Sequence, residues 1–102
     1  MAEKHFILFY EAVDGYVEKR APFRAAHLAY ARAAEARGEL VLAGAFADPV
    51  DGSALVFKAS SPDVPRRFAE SDPYVREGLI RRWHVREWTT VIGALALNRI
   101  AP

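Results

Sequence analysis

Glu39-Leu-Val-Leu-Ala-Gly-Ala-Phe46 and Ser53-Ala-Leu-Val-Phe-Lys58 are short apolar runs separated by Asp48-Pro-Val-Asp-Gly52. Clustered aspartate, proline and glycine mark a turn, so the three pieces predict a β-hairpin. Gly44 inside the first run predicts a bulge, or a close approach by backbone or ligand. What flanks the hairpin sets the fold. Upstream lies an alanine-rich segment, helical from about Val17 or Pro22 to Arg37. Pro22 suits a first turn because it has no N–H to donate, and Gly38 is a natural stop.

At about 100° per residue from Phe23, Phe23, Ala26, Ala29, Tyr30, Ala33 and Ala36 share one broad face. Arg24, Leu28, Arg32 and Glu35 lie opposite, and His27 falls at the border. Before this helix, His5-Phe-Ile-Leu-Phe-Tyr-Glu-Ala12 reads as a strand that is apolar on both faces, so both faces are expected to be covered. Asp14-Gly15 turns the chain out of it. After the hairpin, Ser61 caps a second helix with Pro62 at its first position. Val64, Phe68 and Ala69 form its buried stripe, and Ser71-Asp72-Pro73 interrupts it. Tyr74 to Gly78 makes one more turn. Trp83 to Trp88 then alternates as the last strand, Trp83 and Val85 against His84, Arg86 and Trp88.

The order is βαββαβ, a ferredoxin-like split unit. It predicts an α+β domain with a four-stranded antiparallel sheet and both helices on one face. Residues 1–92 form that domain and 93–102 an apolar tail. The uncovered sheet face predicts a homodimer in which two sheets pack together.

Composition narrows the function classes. The chain has 102 residues, 52% apolar and 26% charged, with a formal charge of +1. That is one ordinary globular domain, without the field that nucleic acid or an anionic membrane requires. It has no cysteine, which removes disulfides, thiolate nucleophiles and cysteine-ligated metals. No apolar run approaches the ~20 residues of a membrane span, and the N-terminus lacks a signal-peptide pattern. A reducing cytoplasm is the expected setting.

His27 is the leading candidate for proton transfer, because an imidazole titrates near pH ~6.5. Its competing reading is a half-buried helix histidine bonded to a neighbour. Asp72 before Pro73 reads first as a helix cap, and second as the carboxylate that bonds His27 and fixes its tautomer. One carboxylate can do both. Asp14 reads as a turn residue that caps the helix or reaches the same site. Arg20 and Arg24 form either a solvated face or a clamp for an anion, since guanidinium matches carboxylate in a bidentate way. His5 and His84 show no metal-ligand spacing, so no metal site is expected. Ser53 lacks a nucleophile motif, and Gly44 and Gly52 make no phosphate loop.

Several pieces together resemble the YCII-related (YciI-like) family. They are Arg24-x-x-His27-Leu28, Gly38-x-Leu40-x-x-Ala43-Gly44, Gly52-Ser53 opening a strand, Asp72-Pro73-Tyr74-Val75, Gly78, and an alternating strand ending in Trp88. The resemblance spans about residues 4–91. It implies a dimeric α+β barrel, an architecture shared with muconolactone-isomerase-like proteins. It also implies a pocket with a His/Asp acid–base pair, carried here by His27 and Asp72. Asp14 and Arg24 match recurrent positions near that pocket. Two departures stand beside the expected cleft: Ala45 and Glu87 occupy places where the family often has proline. The tail lies outside the match and is expected to pack on the partner subunit.

These readings converge on a small enzyme without cofactor, an isomerase or lyase acting on a cyclic or aromatic anionic metabolite. His27 would carry the proton and Asp72 would orient it. Arg24 would hold a substrate carboxylate, Tyr30 or Trp88 would line an apolar wall, and Asp14, Gly44 and Ser53 would complete the substrate contacts. A non-catalytic dimer that binds a small ligand or serves as an accessory protein is the alternative. So is a hydrolase using the same pair.

Overall fold

The computed structural model describes residues 2–102. The elements are β1 (Lys4–Ala12), α1 (Tyr16–Lys19), a 3-10 turn (Ala21–Phe23), α2 (Arg24–Ala36), β2 (Leu40–Ala45), β3 (Gly52–Ala59), α3 (Asp63–Ser71), α4 (Pro73–Arg76) and β4 (Ile80–Trp88). The single helix expected from Val17 or Pro22 is thus two helices joined through the turn that holds Pro22. Ser61 Oγ accepts the N–H of Asp63 at 3.1 Å, while Pro62 stands in the cap position, outside the helix.

The four strands lie in the order β2-β3-β1-β4, and every paired neighbour is antiparallel. This is the ferredoxin-like sheet, with β1 and β3 central and the hairpin strand β2 at one edge. The register sets the core. Leu8 pairs with Leu55 on one side and Val85 on the other, and Phe6 faces Phe57 across the ladder. Phe6, Leu8 and Tyr10 are buried on the helix side, under α2 and α3. Phe68 from α3 meets Phe57 edge-on, centroids 5.1 Å apart. Ile7 and Phe9 alternate to the other side and remain half-exposed.

Two expectations need correction. The alanine face of α2 points outward: Ala26, Ala29, Ala33 and Ala36 are exposed, and the buried residue is Ala34, flanked by half-buried His27, Tyr30 and Ala31. Alanine is the strongest helix former, so its abundance reports helix formation and does not mark the packed face. The rotation is set by the larger side chains, His27 against Tyr74 and Tyr30 against Phe68. The second correction concerns Gly44, which marks neither a bulge nor a close backbone approach, since an added Cβ would meet nothing within 4 Å. The irregularity of β2 falls between Leu40 and Leu42. The tight approach is at Gly52, where a Cβ would collide with the carbonyl oxygen of Tyr10.

Beyond β4 the tail has no regular structure, but it is tied down at one point. Thr90 Oγ1 lies 2.7 Å from His5 Nδ1 and accepts the N–H of Leu97 at 3.0 Å. No helix among the described residues is long and apolar enough to cross a membrane.

Candidate active site

Asp72 sits at the junction of α3 and α4, and local chemistry puts it there. A residue before proline is pushed out of the helical region, and Asp72 is extended at φ −65°, ψ 128°. That breaks α3 and lets the carboxylate cap α4, accepting the N–H of Tyr74 at 3.0 Å through Oδ1. The same oxygen lies 2.8 Å from His27 Nδ1. Oδ2 accepts the hydroxyl of Tyr10 at 2.7 Å. Asp72 is 0% exposed, so these three bonds replace its hydration, as a buried charge demands.

His27 reaches this carboxylate from the end of the first turn of α2. Its ring stacks on Tyr74 with centroids 3.8 Å apart and planes within 6°. Tyr74 in turn meets Tyr16 edge-on at 5.8 Å. An ionised carboxylate only accepts, so Nδ1 is the donor and Nε2 is left free to exchange protons. Burial, then the charge of Asp72, pushes the Tyr10 hydroxyl far above its ordinary range. Tyr10 therefore keeps its proton and stays a donor. Burial also raises Tyr74 and Tyr30.

A cavity of about 230 Å³ opens beside the imidazole. One wall is α2, through Arg24, His27, Leu28 and Ala31. The opposite wall is strand surface with little bulk: Ala43, Gly44 and Ala45 on β2, Ser53 and Leu55 on β3. Tyr16, Arg20 and Tyr74 close the remaining side. The Arg20 guanidinium lies 5.2 Å from the centre of the Tyr16 ring, a cation–π contact. Neither Arg20 nor Arg24 takes part in the ion pairs of the described residues. The cavity thus has an apolar, aromatic interior, one imidazole and two cations without a carboxylate of their own. No group of three or more histidine, aspartate or glutamate side chains converges to hold a metal among the described residues.

The structure brings His27, Asp72, Arg24, Gly44 and Ser53 together, Asp72 behind the imidazole and the others on the cavity. Three expected members lie elsewhere. Asp14 is solvent-exposed and meets Arg81 at 3.6 Å. Tyr30 turns away and donates to the Phe68 carbonyl at 2.8 Å. Trp88 lines a separate apolar hollow with Leu42, Val56 and Leu95, because the alternation of β4 carries it to the open face. Sequence reasoning missed Tyr10, Tyr16 and Tyr74. A signal existed for Tyr10: a tyrosine on a buried strand face needs a partner for its hydroxyl.

Fold and site define an α+β protein of ferredoxin-like topology in which a half-buried imidazole, bonded to a buried carboxylate, lies on a small cavity. The chain belongs to the YCII-related domain family, whose profile matches residues 4–89. Among solved structures it is similar to 5-chloro-2-hydroxyhydroquinone dehydrochlorinase (TftG) from Burkholderia phenoliruptrix AC1100, in complex with 2,5-dihydroxybenzoquinone. The two share 26% identity and a TM-score of 0.72 over 84% of this chain and 94% of that one. PA3566 from Pseudomonas aeruginosa shares the fold, with 13% identity and a TM-score of 0.54 over 86% and 93% of the two chains. No protein with a curated description matches the chain.

Proposed function

We propose that this chain is a small-molecule enzyme in which His27 moves a proton on a ring-bearing anionic substrate. The observation that carries the reading is the 2.8 Å bond between His27 Nδ1 and Asp72 Oδ1. It commits Nδ1 and leaves Nε2 as the base. A proton on the bound ring passes to Nε2, and Asp72 stabilises the resulting imidazolium without taking the proton itself. The electron pair left on the ring then expels a leaving group, or is reprotonated by His27 at another carbon. The first course is elimination and the second isomerisation.

Size, charge and likeness support the substrate class. The cavity is smaller than the ~300–1,000 Å³ of sites for drug-sized ligands, and its rings suit a planar molecule. Arg20 and Arg24 supply the charge that an ionised hydroxyl or carboxylate pairs with. The dehydrochlorinase, 26% identical, holds a dihydroxylated quinone. A homodimer through the open sheet face belongs to the same proposal, supported by the half-exposed Ile7 and Phe9 on that face.

The test is binding followed by turnover. 2,5-Dihydroxybenzoquinone should bind saturably and shift the NMR signals of His27 and Tyr74; a spectrum unchanged at saturating concentrations would remove the substrate class. Chlorinated hydroxyhydroquinones, assayed by chloride release, test elimination. His27→Ala should lower turnover by ~10²–10⁴-fold. A variant within about twofold of wild type would remove His27 from the chemistry.

A further inference from the structure

Tyr10 lies on the helix-side face of β1 beside Phe6 and Leu8, and its ring packs as theirs do. Its hydroxyl does something their side chains cannot. It donates to Oδ2 of Asp72 at 2.7 Å, while His27 Nδ1 and the Tyr74 N–H share Oδ1. The two carboxylate oxygens are therefore bound from different elements, β1 on one side, α2 and α4 on the other. A carboxylate held at both oxygens does not turn about its Cβ–Cγ bond. Tyr10 is not among the residues lining the cavity beside His27, so it acts on the imidazole only through Asp72.

We infer that Tyr10 is a positioning residue, which locks Asp72 and through it holds His27 in the tautomer protonated on Nδ1. This role rests on the reading of His27 as the proton carrier. Without the hydroxyl, Oδ2 is left in the core with no donor. A buried acceptor without a partner is costly, and the carboxylate relieves it by turning toward water in the cavity. Oδ1 then moves off Nδ1, and the tautomer protonated on Nε2 becomes populated. That form presents a proton where the base is needed. The other groups around the imidazole are Tyr74 against its ring, Tyr16 beyond it, Arg24 on the same helix, and Arg20 on the cavity. Tyr10→Phe alters none of them.

Long-range ¹H–¹⁵N NMR of the His27 ring, recorded where the imidazole is neutral, reads the tautomer directly. In the wild type Nδ1 should carry the proton and Nε2 should appear bare. In Tyr10→Phe both nitrogens should move to intermediate shifts. An unchanged pair of shifts in a folded Tyr10→Phe protein would overturn the inference. If that variant does not fold, the wild-type Tyr10 hydroxyl proton is observed instead. A slowly exchanging signal that disappears in Asp72→Asn supports the lock, and rapid exchange with water overturns it. The two readings fail separately. Loss of the proposed function shows as full turnover in His27→Ala, whereas loss of this inference shows as a tautomer indifferent to Tyr10.

Discussion

At Asp72 the sequence predicts less than the residue does. Asp-Pro is an ordinary way to open a helical turn, and the cap is present. The bond to His27 is the second reading of the same carboxylate, which the resemblance to the family favours, and only the structure brings in Tyr10. Packing of the α3–α4 junction on β1 links residues 62 positions apart, and no local pattern reports such a link. The alternation of β4 carries Trp88 to the open face, and Asp14, in the turn beyond β1, pairs with Arg81 instead. Removing the carboxylate tests how much rests on it. Asp72→Ala leaves the Tyr10 hydroxyl and Tyr74 N–H without their acceptor in the core. It should destabilise the protein by about 3 kcal/mol or more, measured by urea unfolding at constant m-value. A loss below about 1 kcal/mol would show that the three bonds contribute little net stability. Arg24→Gln makes the complementary test, since it lines the cavity but has no ion pair to lose. Stability should stay within about 0.5 kcal/mol, while 2,5-dihydroxybenzoquinone binding weakens by about tenfold. Calorimetry reads both.

At the scale of elements, turn chemistry made the strands and breaks legible: Asp48 to Gly52 for the hairpin, Asp72-Pro73 for the end of α3, Gly38 for the end of α2. The rotation of α2 was not legible, because a helix so rich in alanine has little contrast between faces. This has a measurable consequence. Ala33→Lys lies on the exposed face and should change stability by less than about 0.5 kcal/mol. Ala34→Leu enlarges a side chain that is 0% exposed and should cost about 1–3 kcal/mol by overpacking. Equal effects would restore the alanine face to the core. The tail makes a second case. Burial, then the charge of Lys58, lowers the pKa of His5 below its ordinary 6.5, and Thr90 binds its ring. The unfolded chain therefore takes up the proton more readily. His5 contributes stability above pH 6.5 that is lost as pH falls through 6.5 toward the folded value. The melting temperature should drop between about pH 7 and 5.5, and less steeply in His5→Gln. Parallel curves for the two proteins would exclude His5 as the cause.

The whole molecule is a slab. Its principal extents are 46 × 28 × 19 Å, and the shortest matches one sheet plus one layer of helices at about 10 Å each. Its radius of gyration is 14.2 Å, against about 13 Å for a compact domain of this length. No helix covers the sheet face of Ile7 and Phe9, and the tail reaches only part of it, at His5. That face carries Ile7, Phe9, Ala54 and Val56, with Leu42 71% exposed at its edge, and the tail adds Ile92 at 90%. Alternation along β1 made this face legible from sequence, since both of its residue sets are apolar. A second copy laid against it by a two-fold axis would turn two slabs into four layers, with both sheets inside. A stable interface needs about 800 Å² from each partner, which a four-stranded face can offer. Sedimentation velocity at micromolar concentration should give a dimer. Ile7→Lys combined with Phe9→Glu places charge at the centre of the face while leaving Phe6, Leu8 and Tyr10 undisturbed on the other side. That variant should sediment as a monomer with the far-UV dichroism of the wild type. A wild-type monomer at the same concentration would mean that the open face has another use.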